Sequence, residues 1–469
     1  MPPTYHLWTI GCQMNEADSR HLGSQLEALG FAATDDGAAA DLIVLNTCVV
    51  RQQAEDRAVG RLQQVRKAKE SNPGMMVGLM GCMVGLKESA RLREQFPFVD
   101  VFMPPSDTAP LMSFLSTKGF GEEARLLDLG EKAVRDAIQD GDYRLPAPLR
   151  GRAAAANVPI VLGCSHACTF CVIPYRRGPE RSRPAADILR EVRSLAAQGV
   201  REIMLLGQIV DRYGCDFAEP YDLAGLLGEI SAIDSLLRIR FLTGHPNYMT
   251  DRILAAVRDL PKVCPQLDLP VQAGSDRVLL NMRRGYTADD YRRLIHRARA
   301  IVPDAAIHTD VIVGFPGETE EDVQASHRLL EELELDKVHL AKYSVRPKTI
   351  AARTLPDDVP PEEKERRRVL LDDLQERIQT RKNAPLLGTQ VEVLVEDEVG
   401  GRWRGRTPHS RMVLFTDPRP LRGALVRVKV VQTGPWSLVG EEAHILAPPF
   451  ETPAEATPPR RLSEFRLQP

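Results

Sequence analysis

The sequence lacks three features that would place it in a simple class. It has no run of about 18 apolar residues, so we expect no transmembrane helix and no membrane partner. It begins MPPTYHLWTIGC, without a basic leader and an apolar block, so we predict a cytoplasmic location. The formal net charge is only -3 over 469 residues. This excludes a globally basic nucleic-acid binder but leaves room for a local basic patch.

Cysteine is scarce and unevenly placed. In a reducing compartment a disulfide framework is not expected, so metal ligation or catalysis is the leading interpretation of any clustered subset. The tightest subset is GCSHACTFC at residues 163–171, with C-x3-C-x2-C spacing and no fourth cysteine close by. The eight cysteines stand at positions 12, 48, 82, 164, 168, 171, 215 and 264.

The first part of the chain repeats a strand followed by a helix. Three apolar, β-rich segments end at Cys12, Cys48 and Cys82, which are 36 and 34 residues apart, about one βα unit each. Parallel strands connected in this way bring their carboxyl ends to one edge of the sheet, where ligands bind in open α/β folds. We therefore predict that the three cysteines converge, although cysteine is also a common buried strand residue.

Changes of composition divide the chain into five parts and predict an α/β protein with a small β-barrel. Residues 1–142 predict an amino-terminal open parallel-sheet domain, and the Pro/Ala-rich residues 143–157 predict a linker. Six candidate strands in residues 158–383 predict a partial (βα)6 barrel with functional groups after the strand ends. Closely spaced β runs predict a small β-barrel at 384–446, and the Pro-rich residues 447–469 predict a disordered tail.

The cysteines at 164, 168 and 171 directly follow the first candidate strand of the second series. Thiolates suit both zinc and iron–sulfur clusters. A structural zinc site uses four protein ligands, and His166 is too close in sequence to be an obvious fourth; we expect it to be a solvated loop histidine. A cluster held by three cysteines instead leaves one iron open to an exogenous molecule. Both metals remain open at this point.

Several motifs carry a resemblance to a known family. C-x3-C-x2-C after the first strand of a partial barrel resembles the radical S-adenosylmethionine (SAM) superfamily. Within it the chain resembles the methylthiotransferase family, MiaB type, over roughly 440 residues and all three domains. The matching segments are CTFCVIPYRRGPERSRP, LLGQ at 205–208, LPVQAGSDRVL at 269–279, RRGYT at 283–287, DVIVGFPGETEED at 310–322, and the amino-terminal GCQMNEADS and NTC.

This resemblance implies two 4Fe-4S clusters and two molecules of SAM per turnover. One cluster, whose open iron chelates SAM and whose electron cleaves it to a 5′-deoxyadenosyl radical, would be held by Cys164, Cys168 and Cys171. An auxiliary cluster that carries the sulfur would be held by Cys12, Cys48 and Cys82. The implied sequence is methylation of the sulfur, hydrogen removal from a substrate carbon, and coupling of CH3S to that carbon. No catalytic residue beyond the cluster ligands is identified.

The segments LLGQIVDRYG and RRGYT resemble the branch of the family that acts on tRNA. The implied substrate is N6-isopentenyladenosine beside the anticodon, and the implied product carries a 2-methylthio group at adenine C2. Ile209 and Asp211 stand where asparagines are common in that branch. Another tRNA adenosine derivative or a ribosomal protein is therefore kept as an alternative substrate. The implied partners are the tRNA anticodon stem-loop, an electron donor such as a flavodoxin or ferredoxin, and a sulfur source; we expect a monomer.

Three further residues near predicted strand ends are candidate contacts for SAM or substrate. They are Gln208, Gln272 and Gly314. A glycine also suits a tight turn, and glutamines often only satisfy backbone groups.

Positive charge is concentrated in the predicted β-barrel. Residues 402–430 contain seven arginines and one lysine against one aspartate, and the region resembles the TRAM domain, a small OB-like RNA-binding barrel. We expect Arg402, Arg404 and Arg406 to contact phosphate and Trp403 to stack on a base. A reacting base must leave its stack, so we also expect a hinge or groove beside this barrel. The alternatives are that these charges only solvate exposed faces, or that the chain is a non-catalytic cysteine–metal RNA-binding protein.

Overall fold

The computed structural model describes residues 2–50, 52–86, 90–120 and 145–450. Most of the predicted disordered tail, from 451 onwards, and residues 121–144 of the amino-terminal region lie outside these residues. The tail was predicted to begin at 447, but the Phe450 backbone N–H donates to the carbonyl of Arg422 at 3.1 Å, so packed structure continues further than expected. Within the described residues no helix is long and apolar enough to cross a membrane.

The amino-terminal domain is a five-stranded, all-parallel sheet in the order β2-β1-β3-β4-β5. The two central strands are buried along their whole length because their sequences, LIVLNT and MVGLMG, are almost entirely apolar. The predicted βα series is confirmed. Its strands are β1 Thr4–Thr9, β2 Ala32–Ala33, β3 Leu42–Thr47, β4 Met76–Gly81 and β5 Val101–Met103. Its described helices are α1 Gln13–Ala28, α2 Gln52–Ser71, α3 Ala90–Gln95 and α4 Ala109–Thr117.

The central domain contains six parallel strands, as predicted. They form two three-stranded sheets, which are joined by a parallel bridge between Ile239 and Val263 into one open, curved wall. The six strands are β6 Ala155–Pro159, β9 Glu202–Leu206, β10 Arg238–Phe241, β11 Gln266–Asp268, β12 Ala306–Val313 and β13 Lys337–Lys342. A short antiparallel pair, β7 Val161–Leu162 and β8 Arg181–Ser182, flanks the cysteine loop.

Helices cover the outside of this wall. Two of them begin at capping boxes, in which Thr287 pairs with Asp290 and Thr319 with Asp322. The helices are α5 Ile173–Arg177, α6 Ala185–Ala197, α7 Leu223–Ser231, α8 Asp251–Asp259, α9 Asp276–Asn281, α10 Ala288–Ile301, α11 Glu320–Leu333, α12 Ile350–Thr354 and α13 Pro361–Asn383. Short 3-10 turns span Ala147–Leu149, Val210–Arg212 and Ala384–Leu386.

The boundary of the predicted linker is wrong at its carboxyl end. Residues 155–157, placed in the linker, are the start of β6 and pair with β9 from Ala155 onwards. This strand reads AANVP, and alanine has a low intrinsic β-propensity, so the pattern gave no strand signal there. Backbone pairing with β9 along this edge of the sheet outweighs that local preference.

The carboxyl-terminal domain is a closed five-stranded barrel in the order β14-β15-β16-β18-β17. Its strands are β14 Gln390–Val399, β15 Arg402–Arg406, β16 Met412–Phe415, β17 Leu425–Thr433 and β18 Leu438–Ala447. The predicted small β-barrel is confirmed, and one of its strands, β15, reads RWRGR and contains no apolar run. In β15 the arginines point outward while Trp403 and Gly405 are buried. The strand therefore has the usual alternation of exposed and buried residues, but its three arginines make it look like a charged loop in the sequence.

Two buried arginines mount this small barrel on the central domain. Arg240, only 2% exposed, donates to the carbonyl oxygens of Thr407 and Pro408, each at 2.7 Å, while its Nε pairs with Glu202 at 3.0 Å. Arg238 donates to the carbonyl oxygen of Arg406 at 2.6 Å. Because these donors are buried and charged, breaking the contacts would leave them unpaired, which is costly. A groove adjoins this interface, but the buried contacts oppose a free hinge.

Gly405 in β15 provides a test of the barrel. A Cβ added there would lie 2.2 Å from the carbonyl oxygen of Leu394, so Gly405→Ala forces the β14–β15 pair apart. We expect a loss of about 1–3 kcal/mol, seen as a lower thermal unfolding temperature. Gly228→Ala in α7 is the matched control, because nothing lies within 4 Å of the added Cβ and alanine favours helix. Equal unfolding temperatures for the two variants would contradict this packing.

Candidate active site

A cavity of about 770 Å³ lies where the amino-terminal sheet, the central domain and the small barrel meet. Three of its lining thiols follow neighbouring parallel strands: Cys12 after β1, Cys48 after β3 and Cys82 after β4. The predicted convergence of these cysteines is therefore confirmed. The other three lie in the loop between β7 and α5, and the complete set is Cys12, Cys48, Cys82, Cys164, Cys168 and Cys171. Cys215 and Cys264 are not among the lining residues.

Two buried asparagines fix Cys12 and Cys48 relative to each other. Asn15, in the first turn of α1, donates to the side-chain oxygen of Asn46 at 2.8 Å and to the carbonyl oxygen of Thr47 at 3.0 Å. Asn46 donates back to the carbonyl oxygen of Asn15 at 2.8 Å. Because Cys12 precedes this helix and Cys48 follows Thr47, the reciprocal pair holds both thiols at the same sheet edge.

Burial raises the pKa of four of the six cavity thiols. It raises the pKa of Cys48 to about 11 and the pKa of Cys171 to about 12. It also raises the pKa values of Cys82 and Cys164. Metal ligation requires thiolates, so binding of a metal must release protons from these groups.

Each set of thiols has one buried arginine beside it. Arg177, from α5, contacts the sulfur of Cys82 and donates to Ser106 at 3.3 Å. Arg284 donates to the sulfur of Cys168 at 3.3 Å and to the hydroxyl oxygen of Tyr286 at 2.8 Å. Both arginines are the second residue of an Arg-Arg-Gly sequence. A fixed positive charge at a thiolate stabilises an anionic metal–sulfur centre and tunes its reduction potential.

The donor set fits an iron–sulfur cluster in each group of three thiols. Thiolates are the ligands such clusters use, and N–H groups already point at the sulfurs. The Val50 N–H donates to Cys48 at 3.4 Å, and the His166 N–H donates to Cys164 at 3.5 Å. Over the ranges that the structure describes, no three His, Cys, Asp or Glu side chains form a group suited to a single metal ion.

Two of the three predicted cofactor or substrate contacts lie in the cavity wall. Gln208 and Gln272 line it, and Gln272 has a φ of +74°, a strained conformation for a residue with a side chain. Thr243, another lining residue, has a φ of +68°. Such strain is concentrated at functional sites, where the surrounding structure holds it in place.

Gly314 is a correction, because it does not line the cavity. Its φ is +69°, and a Cβ there would lie 2.3 Å from the side chain of Lys364. Its N–H donates to Glu318 at 2.5 Å. A tight turn and close helix packing account for this glycine.

His166 is not a freely solvated loop residue. Its ring lies 5.0 Å from that of His245, which also lines the cavity, and 5.4 Å from that of Tyr248. Burial lowers the pKa of His245 to about 2, with Arg284 acting in the same direction. His245 is therefore neutral at physiological pH and is not a source of protons.

Sequence reasoning missed the polar interior of the central domain. The lining residues include His308 and Asp310 on β12 and Lys337 and His339 on β13. Burial and then the Asp310 carboxylate raise the pKa of Asp268, at the end of β11, to about 7. A signal was present: β strands of this kind are usually apolar on both faces, whereas IHTDVIVG contains the polar run His308–Asp310, within which His308 and Asp310 stand two positions apart on one face. These positions face one side, into the cavity.

The predicted RNA-contacting residues of the small barrel need correction. Trp403 is 8% exposed, packs in the barrel core and donates its indole N–H to the carbonyl oxygens of Asp417 and Arg419, so the prediction that it stacks on a base is wrong. Arg402 and Arg404 do not line the cavity. Arg406 does, although its Nε lies 3.6 Å from a carboxylate oxygen of Glu396.

The exposed tryptophan of this barrel is Trp436, which is 53% exposed and lines the cavity. It lies in the turn GPWS between β17 and β18. Its position between a proline and a serine, in a turn-rich stretch, was the available sequence signal that it is exposed.

Comparison with known proteins gives matches along most of the chain. The model of the radical SAM superfamily matches residues 158–330, and that of an uncharacterized protein family, UPF0004, matches residues 4–104. A Roseiflexus protein (strain RS-1) named tRNA-2-methylthio-N(6)-dimethylallyladenosine synthase is 45% identical over 439 residues, covering 93% of this chain and 89% of that protein. A protein of the same name from Chloroflexus aurantiacus is 46% identical and covers 93% and 91%.

A likeness to a solved structure supports the fold alone. The cobalamin-dependent SAM radical enzyme OxsB, with aqua-cobalamin and SAM bound, has a TM-score of 0.50 at 13% identity, covering 81% of this chain and 56% of that chain.

Arg177 provides a test of how the two domains are joined. It is paired with Asp18 of α1 at 3.4 Å, and both side chains are almost completely buried. Arg177→Gln removes the charge that offsets burial of the Asp18 carboxylate, so we expect a loss of about 3–5 kcal/mol. With all proteins metal-free, so that burial keeps the Cys82 thiol protonated, the double variant Asp18→Asn/Arg177→Gln leaves no uncompensated charge, and much of this loss should be recovered. The midpoints of urea unfolding compare the three proteins; equal midpoints for the single and double variants would disprove the pairing.

Proposed function

Because the chain belongs to the tRNA-2-methylthio-N(6)-dimethylallyladenosine synthase family of radical SAM enzymes, we propose that it methylthiolates a tRNA adenosine. The substrate is N6-isopentenyladenosine beside the anticodon, and the product carries CH3S in place of hydrogen at adenine C2. The observation that carries the proposal is that all six candidate ligand cysteines line one cavity.

In this proposal each set of three thiols holds one 4Fe-4S cluster. When bound, the two clusters and two molecules of SAM per turnover supply the radical, the methyl group and the sulfur. The protein contributes three thiolates to each cluster and one buried arginine beside each set, Arg177 and Arg284. Gln208 and Gln272 present polar groups to the cofactor or substrate from the wall between the two sets.

The cavity has the size and polarity that this substrate needs. Small-molecule sites commonly measure about 300–1,000 Å³, so about 770 Å³ accommodates a nucleoside beside a cofactor. The target carbon lies inside a base, and that base must leave its stack to reach the thiols. Asp268 and Asp310 at the inner wall offer hydrogen-bonding groups to an unstacked nucleoside. One shared chamber lets the base meet both reactive centres without being released.

The remaining partners follow from the chemistry. Generating a radical from SAM consumes an electron, so a small reductant such as a flavodoxin or ferredoxin is required. The sulfur that leaves with each product must be replaced, so a sulfur source is also required. We place the enzyme in the cytoplasm, with its tRNA, and expect it to act as a monomer.

Metal content tests the cofactor assignment. Protein purified anaerobically should contain about eight irons and eight acid-labile sulfides. A Cys12→Ala/Cys48→Ala/Cys82→Ala variant should contain about four of each, and so should a Cys164→Ala/Cys168→Ala/Cys171→Ala variant, because each loses one cluster. Iron, sulfide and zinc are measured on all three proteins.

The matched control is Cys215→Ala/Cys264→Ala, which removes two cysteines outside the cavity and should keep about eight irons. Zinc in place of iron would favour the non-catalytic cysteine–metal alternative. Four irons in the parent and in the Cys12/Cys48/Cys82 variant alike would rule out the auxiliary cluster.

Product analysis tests the substrate. With SAM and a reductant, an anticodon stem-loop RNA carrying N6-isopentenyladenosine should gain the mass of CH3S less hydrogen. For each product, one S-adenosylhomocysteine and one 5′-deoxyadenosine should form. An RNA with unmodified adenosine and a ribosomal protein are the comparison substrates. Faster reaction with either would replace this substrate assignment while leaving the family assignment intact.

A further inference from the structure

Trp436 is exposed at a place where the thiol chemistry gives it no role. A half-exposed indole on a soluble surface adds apolar area in contact with water, which favours neither folding nor solubility. Trp436 nevertheless lies in the wall of the cavity that holds the six cysteines. An aromatic side chain that is both exposed and beside a cavity is typical of a contact for a ligand.

The turn that carries Trp436 is held by a buried side chain from another domain. Asn383, the last residue of α13, is 2% exposed and donates its amide N–H groups to the carbonyl oxygens of Gly434, at 2.8 Å, and Pro435, at 3.3 Å. The Gly434 N–H donates to the Ser437 carbonyl oxygen at 2.9 Å, which closes the turn. The position of the indole is therefore tied to the connecting helix.

A second layer of contacts fixes Asn383 itself. Its side-chain oxygen accepts from Arg411 Nε at 3.1 Å. Arg411 also pairs with Asp336, which directly precedes β13, at 3.3 Å, and Lys382 pairs with the same carboxylate at 2.8 Å. Hydrogen bonds and ion pairs thus connect the turn that carries Trp436, the connecting helix and the central wall. Holding a side chain in its binding position beforehand reduces the entropy lost on binding.

We propose that Trp436 is the stacking platform for a base of the anticodon loop next to the adenosine that enters the cavity. This inference rests on the proposed function, since it needs an RNA with one base inside the cavity. It replaces Trp403, the aromatic residue that the sequence indicated, with one whose side chain is half exposed.

The indole of Trp436 favours a base over a phosphate as the group it contacts, because every nucleobase has a face that stacks on an aromatic ring. The nearby cations are engaged with carboxylates: Arg411 and Lys382 share Asp336, and Arg406 lies near Glu396. Stacking of this kind supplies affinity and orientation but does not distinguish one base from another. Recognition of the target adenosine is therefore left to residues deeper in the cavity.

Binding of an anticodon stem-loop RNA to the cluster-loaded protein tests the proposal. We expect Trp436→Ala to weaken binding by about 5- to 150-fold, the range for loss of one base–aromatic stack. Trp436→Phe should retain most of the affinity because it keeps a ring. Fluorescence anisotropy gives the affinity, and 2-aminopurine beside the modified adenosine gives a second signal. Its fluorescence should be quenched by the parent protein and recover with Trp436→Ala.

The dependence on salt separates stacking from charge. Trp436→Ala should lower affinity equally at every salt concentration, because no phosphate contact is lost. The comparison variant Arg402→Ala, at an exposed arginine of the same barrel, should instead reduce the salt slope if it contacts phosphate. Iron content and unfolding temperature of Trp436→Ala should equal those of the parent.

Each outcome bears on a different claim. Equal affinity of the parent and Trp436→Ala would overturn the platform while leaving the tRNA substrate intact. A changed salt slope for Trp436→Ala would also overturn it, because the residue would then act through the surrounding charges. Absence of any RNA binding by the parent would instead refute the proposed function itself.

Discussion

The guanidinium of Arg177 joins the two groups of thiols. It belongs to the helix that follows the Cys164–Cys171 loop, yet it contacts the sulfur of Cys82 and pairs with Asp18, both in the amino-terminal domain. Two sets of ligands carried by separate domains can act on one substrate only if the distance between them is fixed. A buried charged contact provides this, because sliding the domains would leave a charge unpaired. Arg20 with Glu191 and Arg346 with Glu55 reinforce the same interface.

Much of this arrangement was readable from the sequence, because it depends on periodic features. Repeated βα units placed three cysteines at one sheet edge, since the rule that parallel strands end together holds wherever the strands pair. The six central strands were identified for the same reason. What could not be read were features decided by packing. The arginines of β15 concealed a strand, and a tryptophan between two of them faces inward, not toward RNA.

Other differences have the same origin. Ala155 begins a strand because its backbone pairs with β9, although its own propensity argued for a linker. Gly314 lies near a strand end, as a ligand-binding glycine would, but Lys364 occupies the space above it. Gln208 and Gln272 were predicted on the same ground as Gly314, a place near a strand end, and both line the cavity. A position along a strand is a sequence property, whereas what lies opposite it is a property of the fold.

The two arginines beneath the small barrel bear on how the position of a bound RNA is set. Arg238 and Arg240 are buried and donate hydrogen bonds to backbone carbonyl oxygens of that barrel. These contacts fix the distance between the barrel and the thiols, whether or not a ligand is bound. If Trp436 holds a loop base as proposed, a barrel fixed at this distance admits to the chamber only the nucleotide at the matching spacing. The distance between the barrel and the thiols then selects one position in the loop, and the polar residues of the cavity wall select the base.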